Sequence, residues 1–274
     1  MIIYIREAGR AALAGASGKI RRMSEPQHVI VSASDGVCEV RLNRSDKRNA
    51  ITLQMYRALT GAIHAANVDD SVRVILFSGE GASFTSGNDL NDFLSGPPID
   101  ADHDAARFIR TLPAIRKVMV AAVQGSTVGI GVTLLLHCDL VVAARSARLS
   151  MPFVKLGLVP EAASSLLLPR LVGYQRAAEM LLLGEPIDAE RAFDIGMVNR
   201  IVDDQALMDE ARALARKLAQ QPGGALLATR RLLQSGSTTL LGRMEEELEA
   251  FREQLGSAEF RAAAQAFLSK RRSS

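Results

Sequence analysis

Two nearly continuous apolar runs, Val72–Phe77 and Val118–Val123, constrain this chain more than any other feature. Both are rich in β-branched residues and lack polar alternation, which is the pattern of a strand buried on both faces. Helix-like stretches alternate with these strands, so the pattern points to an α/β core. Each run leads to a glycine turn. Phe84-Thr85-Ser86-Gly87-Asn88-Asp89-Leu90 follows the first, and Val128-Gly129-Ile130-Gly131-Val132 follows the second. Turns that open a helix present backbone N–H groups with no partner in the helix itself. Two of them facing one point make an oxyanion hole, which stabilises charge developing on a carbonyl oxygen.

The remaining elements follow from local signals. His28–Arg44 reads as a hairpin turning at Asp35-Gly36. A helix is expected from Thr52, as N-cap, to Asn67, with Met55, Leu59 and Ile63 inward. Residues 81–103 read as one long loop, a length that usually carries function. Helices are expected over Ala105–Lys117 and Val132–His137, and strands over Asp139–Ala143 and Leu149–Met151. Two short helices broken at Gly173 occupy 161–183, and another spans Asp188–Asp194. Long helical patterns then cover about 204–220, 223–235 and 239–270. The last carries a stripe of Leu241, Met244, Leu248, Phe251 and Leu255, which needs a surface in its own chain or in another subunit. These signals divide the chain into a basic N-terminal extension (1–27), a core (28–200) and a helical C-terminal region (201–274).

Composition narrows the classes. The chain has 274 residues, 48% of them apolar and 23% charged, which is ordinary for a globular protein. No apolar run approaches the roughly 18–20 residues of a membrane span. The net charge of +3 is scattered, with few aromatics among the basic residues, so nucleic acid is not an expected partner. Cys38 and Cys138 lack metal-type spacing and read as core filler, as in a reducing compartment. The expected location is the bacterial cytoplasm. The stretch holding Arg6, Arg10, Lys19, Arg21 and Arg22 is unlike the rest. It reads as a basic, partly helical extension or an early start before Met23, although a transit peptide shares the composition.

Several chemistries fail on spacing. Leu134 stands where a dinucleotide fingerprint opened by Gly129 and Gly131 needs its third glycine. A phosphate loop and a G-x-S-x-G elbow are both absent. None of the four histidines has a zinc-type partner, so no metal site is expected. His137 reads as a core residue, His103 as a loop residue, and Asp139 as a cap or structural ion pair. Glu161 is different: it lies among small and apolar residues after Leu156-Gly157-Leu158-Val159-Pro160. It reads either as a first-turn helix glutamate or as a base working near neutrality.

Taken in order, the motifs resemble the crotonase superfamily, the enoyl-CoA hydratase/isomerase family. They are Leu42-Asn43-Arg44 with Lys47-Arg48-Asn49-Ala50, then Ser86-Gly87-Asn88-Asp89-Leu90, then Gly125 with Gly129-Ile130-Gly131 and Cys138-Asp139. Gly157 with Glu161 follows, and then Gly184, Ala189, Ala192 and Gly196-Met197-Val198. The resemblance runs from about residue 28 to 268. It implies a ClpP-like spiral of ββα units and a helical C-terminal region used for trimerisation, as a homotrimer or a hexamer. It also implies an acyl-CoA substrate whose thioester oxygen meets the N–H groups of Asn88 and Ile130. Coenzyme A is then part of the substrate, and no separate cofactor is implied. Lys47, Arg48, Ala50, Ser86, Gly87, Asp89, Leu90, Gly129 and Thr133 would line the acyl and CoA groove. Hydratases of this family use two glutamates, at positions that here hold Thr133 and Phe153. The Δ3,Δ2-enoyl-CoA isomerases use one, where Glu161 stands. The expected activity is therefore double-bond isomerisation with Glu161, Asn88 and Ile130 as catalytic residues. The alternatives are a hydratase with atypical residues and a catalytically silent acyl-CoA-binding subunit.

Overall fold

A computed structural model describes residues 27–96, 100, 102–233 and 240–272, apart from 243, 246–247, 249–250 and 253–254. The basic extension lies almost wholly outside the described residues. Among the described residues, nine strands form two sheets. The larger has the order β1-β2-β3-β4-β6-β9: β1 (Val29–Ser34), β2 (Val37–Leu42), β3 (Val74–Gly79), β4 (Val118–Val123), β6 (Leu140–Ala144) and β9 (Arg200–Val202). Only the β1–β2 pair is antiparallel. Its turn is the expected one, with both Asp35 and Gly36 at positive φ. The smaller sheet joins β5 (Ser126–Val128), β7 (Arg148–Ser150) and β8 (Ile187–Asp188).

Every residue of β3 and β4 is buried, and the strand period of two divides them between two cores. Ile75, Phe77, Met119 and Ala121 face helix α1 (Leu53–Val68) and helix α3 (Asp104–Thr111). Val74, Leu76, Val118 and Val120 face helix α8 (Leu207–Ala219), through Leu207, Ala211, Leu214 and Ala215. Helix α8 lies beyond residue 200 and packs against β2, β3, β4 and β6. Thr52 caps α1, accepting from the Met55 N–H at 3.2 Å, as its spacing predicts.

Several elements depart from expectation. The loop over 81–103 contains a short helix, α2 (Leu90–Ser95), capped by Asp89. Helix α3 stops at Thr111 and gives way to a 3₁₀ turn, Leu112–Ala114, because Pro113 cannot donate to a continuing helix. Strands β5, β8 and β9 are each three residues or fewer and leave little periodic signal. Helix α4 (Ile130–Leu135) starts two residues early, directly on the glycine turn. The expected helices after it are present as α5 (Ser164–Val172), α6 (Tyr174–Leu183), α7 (Ala189–Asp194) and α9 (Gly223–Leu233). The pattern over 239–270 is interrupted at Gly256. There the Ser257 hydroxyl accepts from the Phe260 N–H and opens α10 (Ala258–Arg272). Met244, Leu248 and Phe251 of the stripe, with Phe260, join the main core of this same chain. No helix among the described residues is long and apolar enough to cross a membrane.

Candidate active site

The two glycine turns meet. Thr85 and Thr127 pair as a parallel bridge, with Thr85 N–H donating to Ser126 O and Val128 N–H donating to Thr85 O. The approach is close. A Cβ on Gly131 would stand 2.5 Å from Thr85 Cγ2, and one on Gly87, at φ +89°, would stand 3.1 Å from Val128 O. Real Cβ atoms do not tolerate the first distance, so Gly131 allows the second turn to lie against the first.

Asn88 forms a second bridge, to Ile51. Its bonds use the flanking atoms: Ile51 N–H donates to Gly87 O, and Asp89 N–H to Ile51 O. In a parallel bridge of this kind, residue 88 turns its own N–H to the opposite side. Ile130 is the first residue of α4, where the helix supplies no acceptor for an N–H. Two neighbouring turns thus each present one backbone donor. The core behind Ile130 is filled to a residual void of about 10 Å³, bordered by Ile51, Phe84, Phe108 and Leu134. A backbone packed this closely keeps its donors in place.

Glu161 is 3% exposed. Its Oε1 accepts from the Thr133 hydroxyl at 2.5 Å, so the first turn of α4 holds the carboxylate. Glu161 is not a first-turn helix residue, since α5 starts only at Ser164. It sits instead in a strained loop where Ala162 and Ala163 both have positive φ, a conformation that costs about 1–2 kcal/mol per non-glycine residue. The loop is secured from two directions. The Glu161 carbonyl accepts from the Ser164 hydroxyl and N–H, and His137 donates from Nε2 to the Ala162 carbonyl at 2.8 Å. Burial pushes the His137 pKa down to about 4, so the ring is a neutral Nε2–H tautomer. This is the core histidine that the sequence suggested.

The remaining expected residues divide. Asn49, not among the expected site residues, is completely buried and staples the first turn: Oδ1 accepts from Arg44 N–H, and Nδ2 donates to Glu80 O and Ser83 O. Lys47 and Arg48 are exposed on the rim of that turn, and Ala50 is buried beneath it. Ser86 is tied to both through Lys47 O and Arg48 O. Asp89 is engaged elsewhere: it pairs with Arg44 at 2.7 Å and caps α2 through Asn91. Its carboxylate therefore builds the frame. Leu90 opens α2, half-buried, and Gly129 turns the chain into α4 at φ +56°. Sequence reasoning missed Tyr56, fully buried on α1, whose hydroxyl donates to Asn88 Oδ1. Burial, and then the nearby Glu161 charge, hold that phenol well above its ordinary pKa. A tyrosine inside an apolar helical stripe was the signal available. Among the described residues no His, Cys, Asp and Glu cluster could hold a metal ion.

The chain is similar to known proteins over most of its length. The sequence profile of the family described as Enoyl-CoA hydratase/isomerase matches residues 32–274. A 1,2-epoxyphenylacetyl-CoA isomerase of Escherichia coli (strain K12) is 37% identical over 253 residues, covering 89% of this chain and 97% of the relative. Enoyl-CoA delta isomerase 2 of Rattus norvegicus is 34% identical, covering 88% of this chain and 62% of the relative. Proteins named as a hydratase and as a chlorobenzoyl coenzyme A dehalogenase match as well. The solved structure of Pseudomonas aeruginosa OdaA superposes with a TM-score of 0.85 at 41% identity, covering 88% of this chain and 99% of that one.

Proposed function

This chain belongs to the enoyl-CoA hydratase/isomerase family, the crotonase superfamily, and we propose that within it the chain is a Δ3,Δ2-enoyl-CoA isomerase. The observation that carries this reading is a single buried carboxylate, Glu161, held by Thr133 beside two turns that each present a backbone donor. The thioester oxygen of a 3-enoyl-CoA docks between the Asn88 and Ile130 N–H groups. Glu161 takes a proton from C2, and the C2–H electron pair delocalises into the thioester as a dienolate. The same carboxyl returns the proton to C4, leaving the double bond between C2 and C3. Each donor stabilises the transition state by about 3 kcal/mol. The step is balanced with one base and two donors and calls on no metal or redox group.

The hydratase alternative needs a second acid to orient and activate water. The two positions that resemblance assigns to hydratase glutamates offer none: the Thr133 hydroxyl donates to Glu161, and Phe153 is a buried apolar side chain. A trimer or a dimer of trimers goes with the family reading. It is supported by the exposed apolar side chains of Leu171, Tyr174, Leu182, Leu183 and Phe193. The deciding experiment is turnover of trans-3-hexenoyl-CoA beside hydration of crotonyl-CoA by the purified protein. Turnover of the first, lost in Glu161→Gln, is the expected result. Turnover of crotonyl-CoA alone overturns the isomerase reading. Acyl-CoA binding without either reaction moves the assignment to a silent subunit.

A further inference from the structure

Tyr56 takes no part in the reaction just described, yet it is 0% exposed and carries a polar atom at its tip. Its ring is wedged against Phe108 at 5.3 Å between centroids. A buried hydroxyl without an acceptor is costly, so the partner it finds is informative. That partner is Asn88 Oδ1. An asparagine amide has one acceptor oxygen and one donor nitrogen. A tyrosine that donates to the oxygen therefore decides which way the amide faces. The bond is not needed to hold the loop, because the backbone on both sides of Asn88 is already tied to Ile51. What it fixes is the side chain. With Oδ1 bonded to the phenol, Nδ2 is the group of this half-buried residue left to donate elsewhere. Glu161 lies near enough for its charge to act on Tyr56, and Thr133 grips that carboxylate from the turn begun by Ile130.

We infer that Tyr56 is a positioning residue of the acyl site: its hydroxyl holds the Asn88 carboxamide so that Nδ2 donates toward the reacting thioester, alongside the backbone N–H of the same residue. The inference rests on the isomerase reading for where the acyl group lies. It assigns Asn88 two donors, one fixed by the Ile51 bridge and one by Tyr56. Without the hydroxyl, the carboxamide is free to present its oxygen instead, and an oxygen facing a developing oxyanion opposes it.

The test compares wild type, Tyr56→Phe, Asn88→Leu and the double variant, each checked for folding by its melting curve. One readout is kcat and KM with trans-3-hexenoyl-CoA. The other is the red shift of bound cinnamoyl-CoA, a conjugated thioester whose absorption moves when donors polarise its carbonyl. Tyr56→Phe should lower kcat about 10-fold with KM within about twofold, the scale of a misplaced catalytic group. It should also diminish the red shift. In the Asn88→Leu background the same substitution should cost nothing more. An equal loss in both backgrounds would show that Tyr56 acts through packing, and overturns the inference. Unchanged kcat and red shift in Asn88→Leu overturns it too, whether or not Tyr56→Phe folds. If wild type shifts cinnamoyl-CoA but does not turn over hexenoyl-CoA, the isomerase reading fails alone, and loss of the shift in Tyr56→Phe still supports the positioning role. No shift in wild type overturns the positioning role, while turnover of hexenoyl-CoA still decides the isomerase reading.

Discussion

The two ends of helix α4, six residues long, are built on opposite principles. At its N-terminal end Ile130 presents an N–H to which the helix gives no acceptor, and Thr133 offers a neutral hydroxyl to the buried Glu161. At its C-terminal end the acid has a charged partner. The Asp139 carboxylate accepts from the Met119 N–H at 2.8 Å and from Arg230 Nε at 2.6 Å. Arg230, itself 5% exposed, also donates to the Ile115 carbonyl. His137 completes this end by holding the Ala162 carbonyl. Two acids thus lie at the ends of one short helix: the half-buried Asp139 in a charge-matched pair that fixes the fold, the buried Glu161 on a neutral hydroxyl. The lesson is that burial of a carboxylate says little about its role until its partners are known.

The sharpest way to break this contrast is to neutralise each acid in turn. Glu161→Gln should lower isomerase turnover by at least about 10³-fold while its urea midpoint stays near wild type. Asp139→Ala should do the reverse. It strands a buried guanidinium and the Met119 N–H, so unfolding free energy should fall by about 3 kcal/mol with kcat per folded molecule nearly unchanged. An Asp139→Ala protein as stable as wild type would refute the structural half of the comparison. Next in size is Gly131→Ala at the active end. Its Cβ would collide with Thr85 Cγ2, so the variant should lose about 2 kcal/mol, with a matching fall in kcat as the turns part.

The matched end should also be the acid-sensitive one. His137 titrates at about 4 in the folded chain against an ordinary value of 6.5. As pH falls, the unfolded chain therefore takes up the proton first. The contribution is constant above about 6.5 and declines toward 4, reaching a loss of about 2 kcal/mol at pH 5. Urea titrations at pH 7 and pH 5 should show this loss, and His137→Gln should flatten it. The smallest effect belongs to Thr133→Val, which removes only the hydroxyl on Glu161. A fall in kcat of about 10-fold, equivalent to roughly 1.4 kcal/mol, is expected with the melting temperature little changed. An unaltered kcat would mean that Glu161 is positioned without it.

Much of the frame was legible because it rests on local rules. The positive-φ hairpin at Asp35-Gly36, the Thr52 cap, the break at Gly173 and the two buried strands all appear where residue chemistry puts them. Glu161 stood out as a carboxylate among small and apolar neighbours, which left a helix-start reading and a base reading open until the resemblance favoured the base. Local rules did not reveal what the Asp89 carboxylate binds, a residue that the resemblance places along the groove. Its ion pair with Arg44 spans 45 residues, a separation that no window of sequence reveals. Asn49 was likewise seen as part of a motif but not as the staple of the turn, since its acceptors lie at Glu80 and Ser83.

By itself the sequence determined the hairpin, the two buried strands, the Thr52 helix start and the glycine turns, because these depend on backbone freedom and on hydrophobic period within a few residues. It also limited the choice of base, through a resemblance that sets a glutamate at Glu161 and none at Thr133 or Phe153. Only the tertiary structure decided which donors stay open and which acids are matched. The Thr133–Glu161 bond spans 28 residues, Tyr56–Asn88 spans 32 and Arg230–Asp139 spans 91. Hydrogen bonds act over about 3 Å, so their partners are chosen by the packing of the sheet and helices rather than by proximity along the chain.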